Sequence, residues 1–307
     1  MVERKINWPQ AGAYVVAVSG GVDSMVLLDI LATAPTRRGY TLVVAHFDHA
    51  MRPESAADAQ FVAEAARGYG AEYVTARSDL PLTSEAQART ARHAFFDDVL
   101  RDHPGHCLVT AHHQDDLIET SLLNLTRGTG WEGLAPFGKG DIVRPLLTVS
   151  RTQIVAYAKH HHLWWHEDAT NADRSNPRNF LRHELLPSTD KLWRQRYLAL
   201  IEEANAVGQK ARELAASCGA SSDQSWTITR PDVRDLSLQS LEEILVVQAK
   251  KIDPAIELDR RLVQELALFA KTGRPGTARP VRAQMELEIG REEISLRNLA
   301  TAQNADK

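Results

Sequence analysis

Residues 15–31, VVAVSGGVDSMVLLDIL, constrain the fold of this 307-residue chain more than any other stretch. Val15, Val16, Ala17 and Val18 are apolar with no polar alternation, which predicts a strand buried on both faces. Ser19-Gly20-Gly21-Val22-Asp23-Ser24 then turns the chain, and Met25 to Leu31 opens a helix. Adjacent glycines admit backbone conformations closed to other residues and let amides approach a ligand closely. A helix that starts straight after such a turn presents unpaired N–H groups and a partial positive charge. Phosphate is the matching guest. A packing turn would use Gly-Gly equally well, but serine on both flanks and an aspartate inside favour phosphate. No lysine lies between Lys5 and Lys139, so G-x-x-x-x-G-K-[ST] is absent, and so is G-x-G-x-x-G.

Beyond this crossover, strand-like and helix-like segments alternate. Residues 41–47 (TLVVAHF), 71–76 (AEYVTA), 106–111 (HCLVTA) and 141–144 (DIVR) read as strands, and 55–67, 83–100 and 114–126 as helices. The alternation predicts an α/β fold: a Rossmann-like parallel five-stranded sheet with helices on both faces. Ligands of such sheets gather outside the carboxyl ends of the strands, where strand order reverses. The loops after Val18, Ala45 and Ala111 are therefore expected to share one cleft. The length admits two domains. The expected division is a catalytic domain over 1–187, a helical linker over 188–218 and a small, mainly helical domain over 219–307. The last has helices at 236–250 and 258–271 and a hairpin within 281–296. All twelve histidines fall from His46 to His183, in keeping with two regions of different task.

A hydrophobic fraction of 43% and a charged fraction of 25% suit a soluble globular protein. MVERKINWPQ opens the chain without an apolar run, and no stretch approaches membrane-span length, so a cytoplasmic protein is expected. Cys107 and Cys218 are far apart and outside any C-x-x-C, which argues against a disulfide framework or zinc ribbon. The net charge of −4 disfavours indiscriminate nucleic-acid binding and leaves the question to local patches.

The cleft loops carry the chemistry. His46-Phe47-Asp48-His49-Ala50-Met51-Arg52 follows the second strand, and His112-His113-Gln114-Asp115-Asp116 precedes Glu119 in the helix after the fourth. Asp116 and Glu119, three apart, share a helix face. Carboxylates in a first turn suit the helix dipole in any case. Two histidines and three carboxylates together exceed that need.

SGGVDS resembles the pyrophosphate loop of the N-type ATP pyrophosphatases, which leave AMP on a substrate oxygen. With HFDHAMR, AHHQDDLIETSLLNLTRGTG and RPLLTVSRTQIVAYAKHHHLWWHEDATNADRSNPRNFLRHELLP following in order, residues 14–187 resemble the tRNA(Ile)-lysidine synthases. Departures are small: Ala50-Met51 stands where Gly-Leu is usual, and His93 where an aromatic is common. The resemblance implies ATP, Mg²⁺, free L-lysine and a tRNA(Ile) with a CAU anticodon. AMP would activate the C2 oxygen of the wobble cytidine, and lysine would displace it. It further implies that Ser19, Gly20, Gly21, Val22, Asp23, Ser24 and His46 bind ATP, with Asp23 near the metal. Asp116 and Glu119 would hold lysine's ε-ammonium, His112 or a carboxylate (Asp115 among them) would take its proton, and Arg89 would meet the triphosphate or developing charge.

Alternatives stay open on the residues alone. A tRNA thiolase would need reactive cysteines near the cleft, and Cys107 is expected to point into the core. A metal-dependent phosphohydrolase could use His46, His49, His112, Asp115 and Asp116, and a non-catalytic nucleotide-binding module demands least. The glycine-rich stretch 127–140 reads as a lid or as a plain connection. His160-His161-His162 and His166 read as a solvated run at a helix end, and Trp164 and Trp165 as packing. Residues 174–196 hold six basic side chains against two acidic ones, and Arg178, Asn179 and Arg182 are candidates for tRNA contact, against a plain solvated helix face. Past Pro187 the resemblance thins, and the tRNA-facing role of 219–307 rests on placement. The sequence leaves the assembly open, a homodimer included.

Overall fold

The computed structural model describes residues 2–33, 39–50, 55–78, 85–128, 131–137, 142–166, 177–282 and 285–299. Two compact units emerge, 1–202 and 203–307.

In the first unit a short 3-10 turn, Val2–Arg4, precedes β1 (Gly12–Ala17), α1 (Val22–Thr33), β2 (Tyr40–Asp48), α2 (Ser55–Gly68) and β3 (Glu72–Arg77). Then come α3 (Glu85–Asp102), β4 (Cys107–Val109), α4 (Gln114–Thr126), a single turn α5 (Trp131–Leu134) and α6 (Arg151–His160). The sheet is parallel, in the order β3-β2-β1-β4. Order reverses between β1 and β4, so the loops after these two strands open into one crevice. The strand expected at 141–144 is reduced to a single parallel bridge, Val109 to Val143. Pro145, which has no N–H to donate, directly follows Arg144.

Alternate residues of each strand feed opposite layers. Val16, Val44 and Val109 pack with α1, α2 and α6, whereas Val15, Val43 and Leu108 pack with Phe95, Phe96 and Val99 of α3. Helix α1 is buried nearly all round, hence its unbroken apolar run. Its single acid beyond the first turn, Asp29, is buried and accepts hydrogen bonds from the Tyr69 (2.8 Å) and Tyr157 (2.7 Å) hydroxyls. The carboxylate thereby ties α1 to α6 and to the turn after α2. Burial first, then Asp29, pushes both phenols above their ordinary range.

Cys107 is exposed, which corrects the expectation of a core position. As the first residue of a three-residue edge strand it lies at the end of β4 opposite the crevice.

A helical segment over 177–188 combines α7 (Pro177–Phe180), a π-turn (Leu181–Leu185) and α8 (Leu186–Ser188). Helix α9 (Lys191–Ser217) runs through the division between the units. The second unit holds β5 (Ala220–Ser221), β6 (Ser225–Thr229), α10 (Arg230–Asp235), α11 (Leu238–Ile252), α12 (Arg260–Thr272), β7 (Thr277–Arg282), β8 (Met285–Ile289) and β9 (Glu293–Asn298). The two expected helices appear as α11 and α12. The expected hairpin is part of a five-stranded antiparallel sheet, β5-β6-β9-β8-β7, so a full sheet accompanies the expected helices. Its core gathers Trp226, Leu241, Leu266, Leu287 and Leu296. No helix among the described residues is long and apolar enough to cross a membrane.

Candidate active site

The turn after β1 is cross-braced by its own serines. Ser24 Oγ accepts from the Ser19 N–H (3.2 Å) and donates to the Gly21 carbonyl (2.9 Å), while Ser19 Oγ accepts from the Gly21 N–H at 3.4 Å. Gly20 sits at φ +89°, where a side chain would be strained. Helix α1 starts at Val22, so its first-turn amides have no acceptor within the helix. The Gly20 carbonyl is held by the His166 N–H at 3.0 Å. The His166 ring stacks on Phe61 (4.6 Å between centroids) and hydrogen-bonds Asp58, both on α2. His166 is thus a brace of the loop, while His160, His161 and His162 are exposed at the end of α6 as expected, His161 lying on Tyr157 at 4.0 Å. His46 is buried in β2, and its Nδ1 donates to the Val18 carbonyl at 2.8 Å, fixing the entry to the loop.

The residue at the centre of the site is His113, which sequence reasoning passed over for its neighbour. It is the N-cap of α4: Nδ1 accepts from the Asp115 (3.2 Å) and Asp116 (3.4 Å) amides, and Asp116 Oδ2 accepts from the His113 N–H at 3.0 Å. A nitrogen that accepts two N–H groups keeps its lone pair, so the ring proton resides on Nε2. That atom faces two carboxylates, Asp116 Oδ2 at 3.4 Å and Asp23 Oδ1 at 3.6 Å. Burial opposes a charged ring, but the carboxylates of Asp23, Asp116 and Asp115 prevail and hold its pKa above the usual value. For Asp23 burial pulls upward, and His113, Arg151 and Arg182 outweigh it, keeping the carboxyl below the ordinary range. Asp23 Oδ1 is buried and accepts no hydrogen bond. The signal was present in the sequence as H-x-x-D, a capping-box spacing with histidine in place of serine.

The two other acids of this helix diverge from Asp116. Asp115 is turned aside: it accepts from the Arg151 N–H (2.7 Å) at the start of α6 and from Arg194 of α9. Burial raises its pKa, but these partners win and depress it. Glu119 is fully buried, with Arg182 Nε at 2.9 Å from Oε1, Nη2 at 3.0 Å from Oε2, and Arg178 Nε at 3.3 Å. Arg182 Nη2 also reaches Asp116 Oδ1 at 3.3 Å, and Arg178 donates to Thr120 Oγ1 at 2.8 Å. The arginines expected at tRNA and the carboxylates expected at lysine are therefore brought onto each other. Asn179, between them, is buried.

His112 stands on another wall. Its Nδ1 meets Thr110 Oγ1 at 2.7 Å, and its ring lies 4.9 Å from Phe137. Burial, with help from Arg144, Arg92 and Arg89, pushes it down to about 4. Arg89 itself is exposed on α3. Met51, Arg52, the segment 167–176 and parts of the glycine-rich stretch (129–130 and 138–140) lie outside the described residues.

Behind Asp115 and Glu119 opens a cavity of about 560 Å³. Arg151, Lys159, Arg182 and Arg194 give it positive charge, and Val155 and Leu186 give it apolar wall. Among the described residues no group of three His, Cys, Asp or Glu side chains is arranged to hold a metal ion by itself.

Residues 2–189 match the PP-loop domain. The chain belongs to this family. It is 40% identical over 193 residues to the tRNA(Ile)-lysidine synthase of Alkalilimnicola ehrlichii, a match spanning 60% of this chain and 43% of that protein. Against the enzyme of the same name from Xylella fastidiosa the identity is 40% over 211 residues, spanning 66% and 48%. The chain thus spans less than half the length of the relatives it matches. Among solved structures, the U34-tRNA thiolase NcsA from Methanococcus maripaludis superposes with a TM-score of 0.56 at 14% identity, covering 67% of this chain and 76% of that one. The likeness is one of fold. The turn at Ser19–Ser24, expected to be the loop that names the family, lies within the matched residues.

Proposed function

We propose that this PP-loop protein ligates lysine to C2 of the wobble cytidine of a tRNA(Ile) with a CAU anticodon, consuming ATP and releasing AMP and pyrophosphate. The observation that carries the proposal is that Asp23 from the PP-loop and Asp116 from α4 stand 3.6 and 3.4 Å from the same ring nitrogen, Nε2 of His113. It joins a phosphate cradle to the place where an amine would be received.

The cytidine C2 oxygen attacks the α-phosphorus of ATP, and the bond to the β-phosphate oxygen breaks. The departing pyrophosphate is received by the amides of the loop and of the first turn of α1. The unbonded Asp23 Oδ1 suits Mg²⁺, which binds one or two carboxylates together with substrate phosphates and there neutralises charge. Lysine matches the cavity in kind: its carboxylate suits Arg151 and Lys159, its methylenes Val155 and Leu186, and its ε-ammonium the carboxylate end. Asp116 is the acceptor assigned to the ammonium proton. His112, with its pKa near 4, is a weak base at neutral pH. The freed amine adds to C2, and AMP leaves with the oxygen. Glu119 acts through Arg182, and Arg178 and Asn179 serve the RNA by holding 177–188 against α4.

On this reading the protein works in the cytoplasm, 1–187 is the catalytic domain, and the second unit contacts RNA. A thiolase reading lacks support, because the single cysteine of the first unit lies at the far end of β4. The test is mass spectrometry of a CAU stem–loop RNA incubated with the protein, ATP, Mg²⁺ and lysine. A lysine adduct on the cytidine is expected. RNA that stays unmodified in a preparation that binds ATP sinks the assignment.

A further inference from the structure

Arg144 follows the Val109–Val143 bridge, with the Thr110 N–H on the Val143 carbonyl at 3.0 Å, so it lies level with the residues that lead into His112 and His113. It belongs to the carboxyl-end side of the sheet, where the cleft opens. The guanidinium carbon stands 4.9 Å from the centroid of Phe137, and Nη1 donates to the Ile142 carbonyl at 3.1 Å. Nε is buried with no acceptor. Among the described residues no carboxylate pairs with it. Arg89 is felt at Arg144, and Arg89 and Arg92 at His112, where the Asp116 carboxylate opposes them. Burial first, then Arg89, lowers Arg144.

A planar guanidinium fork with a buried N–H that meets no protein acceptor is an arrangement that an anion satisfies well. The contrast with Arg178, Arg182 and Arg194 is informative, since each of those is matched to a carboxylate of α4. We propose that Arg144, seated on Phe137 beside His112, forms a second phosphate-binding subsite of the cleft, distinct from the PP-loop. Its ligand is a phosphate ester, which binds a guanidinium edge through two oxygens. The ester is either the α-phosphate of the nucleotide or a diester of the RNA beside the reacting base. The proposal rests on the functional reading above and deepens it.

Equilibrium binding separates the sources. ATP and AMP are titrated into wild type and R144Q in one arm, and a CAU stem–loop RNA without nucleotide in the other. Loss of about tenfold or more for both nucleotides, with RNA unchanged, places the nucleotide phosphate there. The same loss for RNA alone places the diester. R101Q, which removes an exposed arginine of α3, controls for net charge and is expected to match wild type. If R144Q does not fold, R144K decides the matter: it keeps a cation over Phe137 without the fork, and a loss of a few-fold in one arm is expected. Parity with wild type in every arm overturns the proposal. Failure of the wild type to bind either ligand would instead count against the functional reading.

Discussion

Glu119 and Arg182 form a two-pronged ion pair, Nε to Oε1 at 2.9 Å and Nη2 to Oε2 at 3.0 Å, on a carboxylate with no solvent exposure. The pair joins α4 to the π-turn of 177–188, so that one side wall of the cleft depends on it. Removing one partner of a buried pair strands the other's charge and costs about 3–5 kcal/mol. E119Q is expected to lower the urea-unfolding free energy by that order. Removing Arg182 as well, in E119Q/R182M, should recover part of the loss. Equal stability of E119Q and wild type would show that the pair holds nothing together.

His113 permits a cap and a chemical role to be separated. Asparagine is a favoured N-cap and can still accept from the α4 amides, but it has no Nε2 proton to offer Asp23 and Asp116. H113N should stay within about 1 kcal/mol of wild-type stability, while pyrophosphate release falls by about a hundredfold or more. Retained turnover in a stable H113N protein would remove His113 from the chemistry.

His112 sets a pH dependence of stability. Its folded pKa, about 4, lies below the reference 6.5, so between these values the unfolded chain binds more protons. The stability due to burying a neutral ring is complete above about pH 6.5 and is lost as pH falls toward 4. Wild type should therefore lose more stability than H112N over this interval, by at most about 3 kcal/mol. Chemical denaturation at pH 7, 5.5 and 4.5 checks it, and parallel curves would contradict the sign.

The first unit was legible because its signals are local. Buried parallel strands announce themselves as continuous apolar runs, and Gln114–Thr126 could be bounded by its leucine and isoleucine spacing alone. What was not legible depended on register and partners. Nothing in His112-His113 says which ring caps the helix until the first turn is placed, and the capping puts one ring toward the PP-loop and the other against Phe137. Arg178 and Arg182 looked like a charged surface because their partners stand about sixty residues earlier in the chain. The sheet of the second unit escaped because β7 contains a proline and strands such as β5 are two residues long. Cys107 misled because strand membership was read as burial.

Asp29 gives a test of the fold apart from the chemistry. Y157F removes one of two hydroxyl donors to a buried carboxylate, and a hydrogen bond to a charged group is worth about 1.5–3 kcal/mol. A loss of that order in unfolding free energy is expected, with the KM for ATP unchanged. A change in KM at full stability would mean that this network reaches the cleft.

The central claim is that the PP-loop, with Asp23, receives the two phosphates that leave when nucleotide is transferred to an RNA base. Product analysis of ATP labelled in the α and γ positions, incubated with lysine and a CAU stem–loop RNA, tests it most directly. The account predicts AMP and pyrophosphate in equal amounts, formed only when the RNA is present and suppressed in D23N. ADP and inorganic phosphate as the products would contradict it.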